Sequence, residues 1–405
     1  MTTIYGEVAA GFEPVREAFA ANFAGHGDVG ASVCVYRDGR PVVDLWGGIA
    51  DPGTGRRWTR DTLQLVYSAT KGATATAAHL LAQRGVLDLD APVAEYWPEF
   101  AANGKANIPV RWLLSHQAGL VALDQPVPLV EALAWQPMVA ALSAQRAQWT
   151  PGTAHGYHGR TWGWLVGEVI RRVSGRTPGR FFADEIAAPL GLDFFIGLPA
   201  DERDRVSRMI YKQPDVDFTT LPPESLPEEL RALVAAWRDP NSFTNRAFQV
   251  TDPAEIDFNS PEVQAAELPA SNGIGTARGL ARMYSALIGK VDGVRLLTPE
   301  TLASATEEQA NGPDQVMVVP SRFSSGYMLP TETDPMTGPS AFGHTGRGGS
   351  LAFADPEYGI AFGYVMNHII GGTGDVRARS LVDAVRRSLT KGSTSPSRTT
   401  AGGPY

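Results

Sequence analysis

Several features that would assign this chain to a special class of protein are missing from its 405 residues. It has a single cysteine, Cys34, so no disulfide can form within it, and we expect a reducing compartment, the cytoplasm. It has no apolar run of about 18 residues, so we expect no membrane-spanning helix. Its first residues have neither a basic start nor an apolar stretch, so we expect no signal peptide.

Positive charge is also scarce. Lys and Arg number 35 against 43 Asp and Glu, and the net charge of −8 argues against nucleic acid or an anionic membrane as the main partner. Hydrophobic residues make up 43% and charged residues 19%, as in an ordinary soluble globular protein. The length allows two domains or one large domain with insertions, and a homo-oligomer stays open.

Strand-like patterns lie near both ends of the chain. Residues 31–36 and 41–47 are joined by Arg37-Asp38-Gly39-Arg40, in which Asp-Gly predicts a tight hairpin. Cys34 lies in the first of these runs and is expected to be a small buried hydrophobe. Near the other end, strands are predicted over residues 324–329, 341–344, 350–354 and 360–366. The simplest arrangement pairs both ends of the chain in one antiparallel sheet.

Helical patterns fill the middle of the chain and flank the sheet. Helices are predicted over residues 11–23, 110–115, 121–147, 161–174, 181–190, 225–238, 275–287 and 374–390. Gly175 and Gly191 end two of them, and Ser225 and Thr276 can cap two others. The polar, proline-containing residues 200–270 are too long for an ordinary connection and are interpreted as a functional insertion that shapes a cleft.

The predicted fold class is therefore α/β, in the α+β sense. An antiparallel sheet from residues 1–75 and 275–391 is flanked by helices, and residues 76–274 form an inserted, mostly helical domain. Residues 392–405, rich in Ser, Thr, Gly and Pro, are predicted to be a disordered tail.

The chemistry is predicted at Ser68-Ala69-Thr70-Lys71. A short apolar run ends at Ser68, and a run of small residues that can form a buried helix follows it. At the start of such a helix the side chains of Ser68 and Lys71 lie about one turn apart on one face, near free backbone N–H groups. This Ser-x-x-Lys arrangement is typical of serine acyl-transfer enzymes that use lysine as a base. A second copy, Ser388-Leu389-Thr390-Lys391, falls at the end of the last predicted helix, where nothing would activate the serine.

A serine nucleophile also needs a base and an oxyanion hole. Lys71 can take the serine proton only if it is neutral, which requires burial or nearby positive charge. Tyr157 lies on a loop just before a predicted helix and could relay the proton. Residues 342–350 form a glycine-rich strand end that can bring backbone N–H groups close to a ligand.

Taken in order, these segments resemble the serine beta-lactamase and penicillin-binding-protein superfamily, and most of all its class C beta-lactamase-like group, which includes the family VIII carboxylesterases. The resemblance covers roughly residues 30–389. The matching segments are Ser68-Ala69-Thr70-Lys71, residues 113–120, Pro151-Gly152 followed by Tyr157, residues 270–281, and Gly343-His344-Thr345-Gly346. The resemblance implies a serine beta-lactamase-like fold.

The resemblance also implies the role of each residue. Ser68 would be the nucleophile, Lys71 the general base for acylation, and Tyr157 the group that protonates the leaving group and later activates water. The backbone N–H groups of Ser68 and Arg347 would form the oxyanion hole, with Gly348 as the alternative to Arg347. The substrate-binding residues would be His344, Thr345, Gly346 and Gly348. No cofactor and no metal are implied.

Two positions depart from the class C pattern. Tyr157-His158-Gly159 stands where those enzymes have Tyr-x-Asn, and His344 stands where they have the lysine of Lys-Thr-Gly. In that family the Asn and the Lys help to hold the amide and carboxylate of a lactam. Their loss favours a serine carboxylesterase acting on short to medium acyl esters, with a small-molecule ester as the partner.

Other interpretations stay open. In the same superfamily they are a D-amino-acid peptidase, a weak beta-lactamase and an acyltransferase. From another class, the chain could be a non-catalytic binding protein on the same fold, although intact Ser68, Lys71 and Tyr157 argue against it.

The remaining histidines and aromatics are ambiguous in the sequence. His344 could contact the substrate or make a structural hydrogen bond, and His116 is expected to orient a turn. His155 and His158 share a loop, but no third ligand is placed for zinc. Four aromatics could line an acyl pocket or belong to the core: Trp135, Trp237, Phe243 and Phe248.

Overall fold

A seven-stranded antiparallel sheet forms the centre of the computed structural model, which describes residues 2–211, 220–226, 228–332, 336–370 and 375–391. The predicted tail, residues 392–405, lies outside the described residues, as does residue 374, where the last helix was predicted to begin. The strands are β1 (Ile4–Val8), β2 (Gly30–Arg37), β3 (Arg40–Asp51), β4 (Arg56–Arg57), β5 (Phe342–Thr345), β6 (Leu351–Asp355) and β7 (Ile360–Met366).

The two ends of the chain meet in the middle of this sheet. The strand order is β1-β3-β2-β7-β6-β5, with β4 paired to the end of β3. Cys34 of β2 lies opposite Gly363 of β7, so the predicted pairing of both ends in one antiparallel sheet is confirmed. The β2–β3 hairpin turns at Asp38 and Gly39, whose φ angles of 49° and 80° are the left-handed pair that Asp-Gly adopts readily.

Helices cover both faces of the sheet. The five main helices are α1 (Glu13–Gly25), α2 (Thr70–Gln83), α3 (Thr161–Ser174), α4 (Ala277–Ile288) and α5 (Arg377–Lys391). Val33 and Val35 of β2 pack with α1 and α5, whereas Cys34 and Tyr36 point to the opposite face, against α4. Because both faces are buried, β2 is apolar at almost every position and does not alternate.

Shorter elements connect β4 to β5 and extend the structure around the sheet. The additional helical segments are Tyr67–Ala69, Val93–Tyr96, Pro98–Gly104, Val110–Leu114, Leu129–Leu133, Gln136–Ala144, Pro178–Phe182, Ala183–Ala187, Ala188–Leu190, Ala200–Arg205, Pro223–Ser225, Glu228–Arg238, Phe243–Arg246, Pro261–Ala265 and Pro299–Thr306. The short strands are Gln64–Leu65, Val127–Pro128, Phe194–Phe195, Ile210–Tyr211, Thr251–Asp252, Ile274–Gly275, Ala310–Pro313, Pro320–Phe323 and His368–Ile369. In the described part of the chain, no helix is both long enough and apolar enough to cross a lipid bilayer.

Local signals placed several elements correctly. The helix Thr161–Ser174 has the predicted bounds and ends at Gly175, whose φ is 71°. The side chain of Thr276 caps α4 by accepting a hydrogen bond from the Gly279 N–H. A continuous helical stretch from residue 178 to 190 ends, as predicted, at Gly191.

Three predictions about secondary structure were wrong. Residues 121–147 do not form one helix, because prolines and Trp135, with a φ of 75°, divide the segment into Leu129–Leu133 and Gln136–Ala144. Residues 324–329 form a turn rather than a strand, because Gly326 packs so closely on Ala75 of α2 that a Cβ there would lie 2.6 Å from the Ala75 Cβ. Ser225 lies in a 3₁₀ turn and does not cap the helix, which begins at Glu228.

Helix α2 is the element around which the other helices are arranged. Its residues from 70 to 81 are all buried, and its small side chains allow α3 to pack closely against it. Gly72 shows how close this packing is, since a Cβ there would lie 2.0 Å from the Tyr284 hydroxyl of α4. A helix made of small residues is therefore held rigidly on most sides, with Ser68 at its N-terminal end.

Candidate active site

Ser68 lies in a single 3₁₀ turn, Tyr67–Ala69, immediately before α2. Tyr67 has a φ of 48°, which is unfavourable for a residue with a side chain and persists only where the surroundings hold it. The Tyr67 hydroxyl bonds to that of Tyr211 at 2.9 Å, and the Val66 N–H donates to the Gly273 carbonyl at 2.9 Å. These contacts fix a sharp turn that places Ser68 at the wall of a cavity.

The Lys71 amine is the centre of the site. Its Nζ lies 3.3 Å from Ser68 Oγ and 3.0 Å from Tyr157 Oη, and it donates to the carbonyls of Gly159 at 2.9 Å and Ala270 at 3.2 Å. Ser68 and Lys71 therefore lie within reach of each other, as their spacing predicted.

These four contacts suit a neutral amine. A carbonyl oxygen can only accept, so the Gly159 and Ala270 carbonyls take the two N–H bonds that a neutral amine has. Its lone pair is then left for a hydroxyl proton, and the two remaining neighbours are the hydroxyls of Ser68 and Tyr157. Complete burial holds the pKa of Lys71 well below its usual range, because the charged form would lose its hydration.

A buried loop supplies the Ala270 carbonyl. Asn272 ties this loop together, because its Oδ1 accepts from the Leu268 N–H at 2.9 Å and its Nδ2 donates to the carbonyls of Val263 and Ala266. Thr74 of α2 also donates to the loop, at the Pro269 carbonyl. The sequence reasoning matched this segment to the family but assigned Asn272 no role, and its position in that segment was the only available signal.

Tyr157 lies on the other side of the Lys71 amine. Its ring packs against His116, with centroids 5.0 Å apart, and stacks on Phe323. Its backbone N–H donates to Asp314 Oδ1 at 3.0 Å. Burial raises the pKa of Tyr157, so its phenol keeps its proton at neutral pH and can pass it on.

Asp314 is a residue of the site that the sequence reasoning missed. It is buried and accepts from the N–H of Tyr157 and from the Ser321 hydroxyl, at 3.0 and 2.8 Å. The same carboxylate also receives the N–H groups of Val316 and Met317. The only signal in the sequence was Pro-Asp at a turn, a pattern too common to indicate an active site.

The histidines near Tyr157 have structural hydrogen bonds. His158 accepts from the Leu120 N–H through Nε2 and donates to the Gly156 carbonyl through Nδ1, while His116 accepts from the His158 N–H. Burial lowers the pKa of His158 to about 3 and that of His116 well below its usual value. Among the described residues, no group of three or more His, Cys, Asp or Glu side chains could hold a metal ion.

The glycine-rich turn after β5 lies directly against the turn that carries Ser68. A Cβ on Gly346 would lie 2.1 Å from the Val66 carbonyl oxygen, so only glycine allows this approach. The Gly346 carbonyl accepts from the Gly349 N–H at 3.2 Å, inside the turn. Because a trans peptide points its C=O and N–H in opposite directions, the Arg347 N–H points out of the turn. Arg347 also lines the cavity with Ser68, whereas Gly348 does not, so this geometry favours Arg347 over Gly348 as the second donor of the oxyanion hole.

The residues predicted to bind substrate divide into two groups. Thr345 and Gly346 line the cavity beside Ser68, whereas His344 is buried behind it and Gly348 is not part of its wall. His344 donates through Nδ1 to the Thr345 carbonyl at 2.7 Å. Burial, and to a smaller extent Lys71, lower the pKa of His344 to about 3, so this imidazole is neutral. The structural alternative for His344 is the one that this geometry supports.

A cavity of about 650 Å³ opens in front of Ser68. Its apolar wall includes Trp237 and Phe248, which stack with centroids 5.4 Å apart, together with Met317 and Val319. The segment around residue 240 therefore contributes to a cleft, as expected for an insertion. The other two candidate aromatics lie elsewhere: Trp135 donates to Glu168, and Phe243 packs on Trp149.

Comparisons with known proteins agree with one another. The family model for beta-lactamases matches residues 15–386. Esterase/beta-lactamase LipL of Mycobacterium tuberculosis is 38% identical over 377 residues, which are 91% of this chain and 83% of that protein. A crystal structure of a family VIII carboxylesterase is 39% identical, with a TM-score of 0.83, and covers 95% of this chain and 100% of its own. A penicillin-binding protein homolog from Caulobacter crescentus is 36% identical, with the same TM-score and the same coverage.

Proposed function

The chain belongs to the beta-lactamase family, and from this premise we propose that it is a serine carboxylesterase that works through an acyl-enzyme on Ser68. Relatives named esterase and carboxylesterase, which match this chain over most of its length, support that activity. The observation that carries the proposal is the Lys71 amine, which lies within 3.3 Å of Ser68 Oγ and 3.0 Å of Tyr157 Oη, with both of its N–H bonds taken by carbonyls.

In the acylation step, Ser68 Oγ attacks the ester carbonyl carbon and its proton passes to the neutral amine of Lys71. The negative oxygen that develops accepts hydrogen bonds from the N–H groups of Ser68 and Arg347. When the intermediate collapses, the bond to the alcohol oxygen breaks and the Tyr157 phenol gives that oxygen its proton. The Lys71 ammonium then restores the Tyr157 proton, so Lys71 is neutral again.

In the deacylation step, a water molecule attacks the acyl-enzyme and gives its proton to the Lys71–Tyr157 pair. The bond between the acyl carbon and Ser68 Oγ breaks, the serine recovers its proton, and a carboxylic acid leaves. An alcohol in place of water would produce acyl transfer through the same acyl-enzyme. We propose hydrolysis as the main reaction because the cavity in front of Ser68 is open to water.

Two positions support esters over lactams as substrates. His344, at the position of the family's lysine, is a buried neutral imidazole and offers no positive charge to a lactam carboxylate. Gly159, at the position of the family's asparagine, has no side chain, and its carbonyl is engaged by Lys71. The cavity in front of Ser68 is mostly apolar and suits short to medium acyl chains.

The compartment and the assembly are also proposals. We propose the cytoplasm, because the chain has a single cysteine, Cys34, and so cannot form a disulfide within itself. A small-molecule ester is the proposed partner, and a homo-oligomer stays open.

The ester proposal is tested with p-nitrophenyl acetate, butyrate and octanoate beside the lactam nitrocefin. We expect kcat/KM to be higher for acetate and butyrate than for nitrocefin. Faster hydrolysis of nitrocefin would promote the lactamase or D-peptidase interpretation. If no ester is turned over and a fluorophosphonate probe fails to label Ser68, the carboxylesterase proposal is wrong and the non-catalytic interpretation takes its place.

A further inference from the structure

Arg377, the first residue of α5, lies far along the chain from Ser68 and contacts the turn that carries Arg347. Its side chain is fully buried, and its Nη2 donates to the carbonyl of Gly348 at 2.8 Å. Arginine is seldom buried completely without a specific set of partners, so these partners indicate what the side chain does.

The partners of Arg377 use its whole guanidinium group. Nε and Nη2 donate to the two oxygens of Asp375, at 2.9 and 2.6 Å, and Nη1 donates to Asp28 Oδ1 and to the His368 carbonyl, both at 3.0 Å. With the bond to Gly348, all five N–H groups have an acceptor. The planar guanidinium group points its five N–H bonds in fixed directions and can bind five acceptors at once. The ammonium group of a lysine has only three N–H bonds and cannot do this.

Neutralising a buried charge does not require the contact with Gly348. Asp28 and Asp375 already supply two carboxylates, and the Tyr364 hydroxyl holds Asp28 by donating to it at 2.8 Å. The bond to the Gly348 carbonyl is therefore additional to the ion pairs, and it connects them to a backbone turn beside the cavity.

That turn has no room for a side chain at either of its last two glycines. Gly348 and Gly349 have φ angles of 85° and 112°, and a Cβ on them would lie 2.6 Å from Ile369 and 2.8 Å from Asp375. On its opposite side the turn packs through Gly346 on the Val66 carbonyl, two residues before Ser68. The four-residue turn is thus clamped between the segment that carries Ser68 and the Arg377–Asp375 pair.

We propose that Arg377 is a positioning residue of the oxyanion hole. By holding the Gly348 carbonyl, it fixes the orientation of the turn from which the Arg347 N–H reaches the developing oxyanion. This inference rests on the proposed function. Because the oxyanion forms only in the transition state, a loosened turn lowers kcat and leaves KM nearly unchanged.

The test is Arg377→Lys, which keeps a positive charge between Asp28 and Asp375 but cannot donate to all the acceptors at once. The matched control is Arg386→Lys, on the same helix about 13 Å further along, where the guanidinium donates to the Thr337 carbonyl. For p-nitrophenyl butyrate we expect kcat of Arg377→Lys to fall about 100-fold, with KM within about twofold. Arg386→Lys keeps the wild-type values.

A second measurement does not depend on turnover. An alkyl boronic acid forms a tetrahedral adduct on the serine that places an oxygen in the oxyanion hole, and its affinity is measured by isothermal titration calorimetry. We expect this affinity to fall in Arg377→Lys and to stay unchanged in Arg386→Lys. If the wild-type protein binds the boronate but hydrolyses no ester, the proposed function fails while the role of Arg377 can still be measured.

Two results would overturn the proposal. One is a folded Arg377→Lys protein with wild-type kcat and wild-type boronate affinity. The other is a rise in KM with kcat unchanged, because that would place Arg377 in ground-state binding. If Arg377→Lys does not fold, Asp375→Asn replaces it, since this change weakens one side of the fork while Asp28 still neutralises the charge, and the same division between kcat and KM is expected.

Discussion

The chain contains the pattern Ser-x-x-Lys twice, and the two copies lie in opposite surroundings. Ser68 precedes a helix, lines a cavity and has the Lys71 amine 3.3 Å away. Ser388 lies near the C-terminal end of α5, is buried, and donates its hydroxyl to the Ala384 carbonyl of its own helix at 3.0 Å. The same residue types therefore form a candidate nucleophile before the start of α2, whereas near the end of α5 the serine makes only a hydrogen bond within its own helix.

The difference between the copies arises from what surrounds them. A serine within a helix can donate its hydroxyl to the carbonyl four residues earlier, and the hydroxyl is then not available to attack a substrate. A serine in the turn before a helix has no such carbonyl, so its hydroxyl stays free for an incoming group. The copy at Ser68 also has a fully buried lysine, whose amine stays neutral because burial lowers its pKa. Four mutational and pH experiments test this contrast between the two copies.

The largest effect is expected from removing the two serines one at a time. We expect Ser68→Ala to lower kcat/KM for p-nitrophenyl butyrate about 10⁴-fold or more, because the acyl-enzyme cannot form. Ser388→Ala keeps kcat/KM within about twofold and serves as the matched control. Ester turnover that survives in Ser68→Ala would contradict the contrast between the copies.

The next effect is expected from the lysine. We expect Lys71→Met to lower kcat about 10³-fold, within the range of general-base catalysis, because no group remains to take the Ser68 proton. The control is Lys290→Met, at an exposed lysine. Intact-protein mass spectrometry then shows whether an ester still acylates Lys71→Met, and rapid acylation in this variant would exclude Lys71 as the base.

A smaller loss of rate is expected from the tyrosine. Tyr157→Phe removes the proton relay but keeps the ring between His116 and Phe323, and we expect kcat to fall about 100-fold. Thermal unfolding should change little. If kcat/KM, which reports acylation, falls equally for an activated p-nitrophenyl ester and for an unactivated alkyl ester, protonation of the leaving group is not the role of Tyr157.

The smallest effect is expected in the dependence of stability on pH. The pKa of Lys71 is lowered in the folded protein, so between that value and its unfolded value of about 10.4 the unfolded chain binds one more proton. Because of Lys71, the free energy of unfolding rises by about 1.4 kcal/mol for each pH unit across this window. The same free energy is lost again as the pH falls from the unfolded pKa to the folded one. Urea unfolding over a series of pH values should give a slope that is steeper by this amount in the wild-type protein than in Lys71→Met, which keeps the contributions of other buried groups such as Lys105. Parallel slopes would mean that Lys71 stays charged.

Short-range patterns in the sequence were sufficient for much of the fold. The Asp38-Gly39 hairpin, the helix Thr161–Ser174 with its glycine end, and the cap at Thr276 each depend on residues within a few positions of one another. Prediction failed where a contact with a residue far away in the chain determines the conformation of a segment. Residues 324–329 have a strand-like composition but turn, because Gly326 must pass over Ala75 of α2.

The sequence by itself determined the candidate serine, lysine and tyrosine, and the order of the segments that carry them. Only the tertiary structure decided that the lysine beside Ser68 is fully buried and therefore neutral. The Lys71 amine is held by the carbonyls of Gly159 and Ala270, 88 and 199 residues away, and Arg377 meets Asp28 across 349 residues. Burial and hydrogen bonding set the charge of such groups, and both depend on atoms that folding brings together from distant parts of the chain.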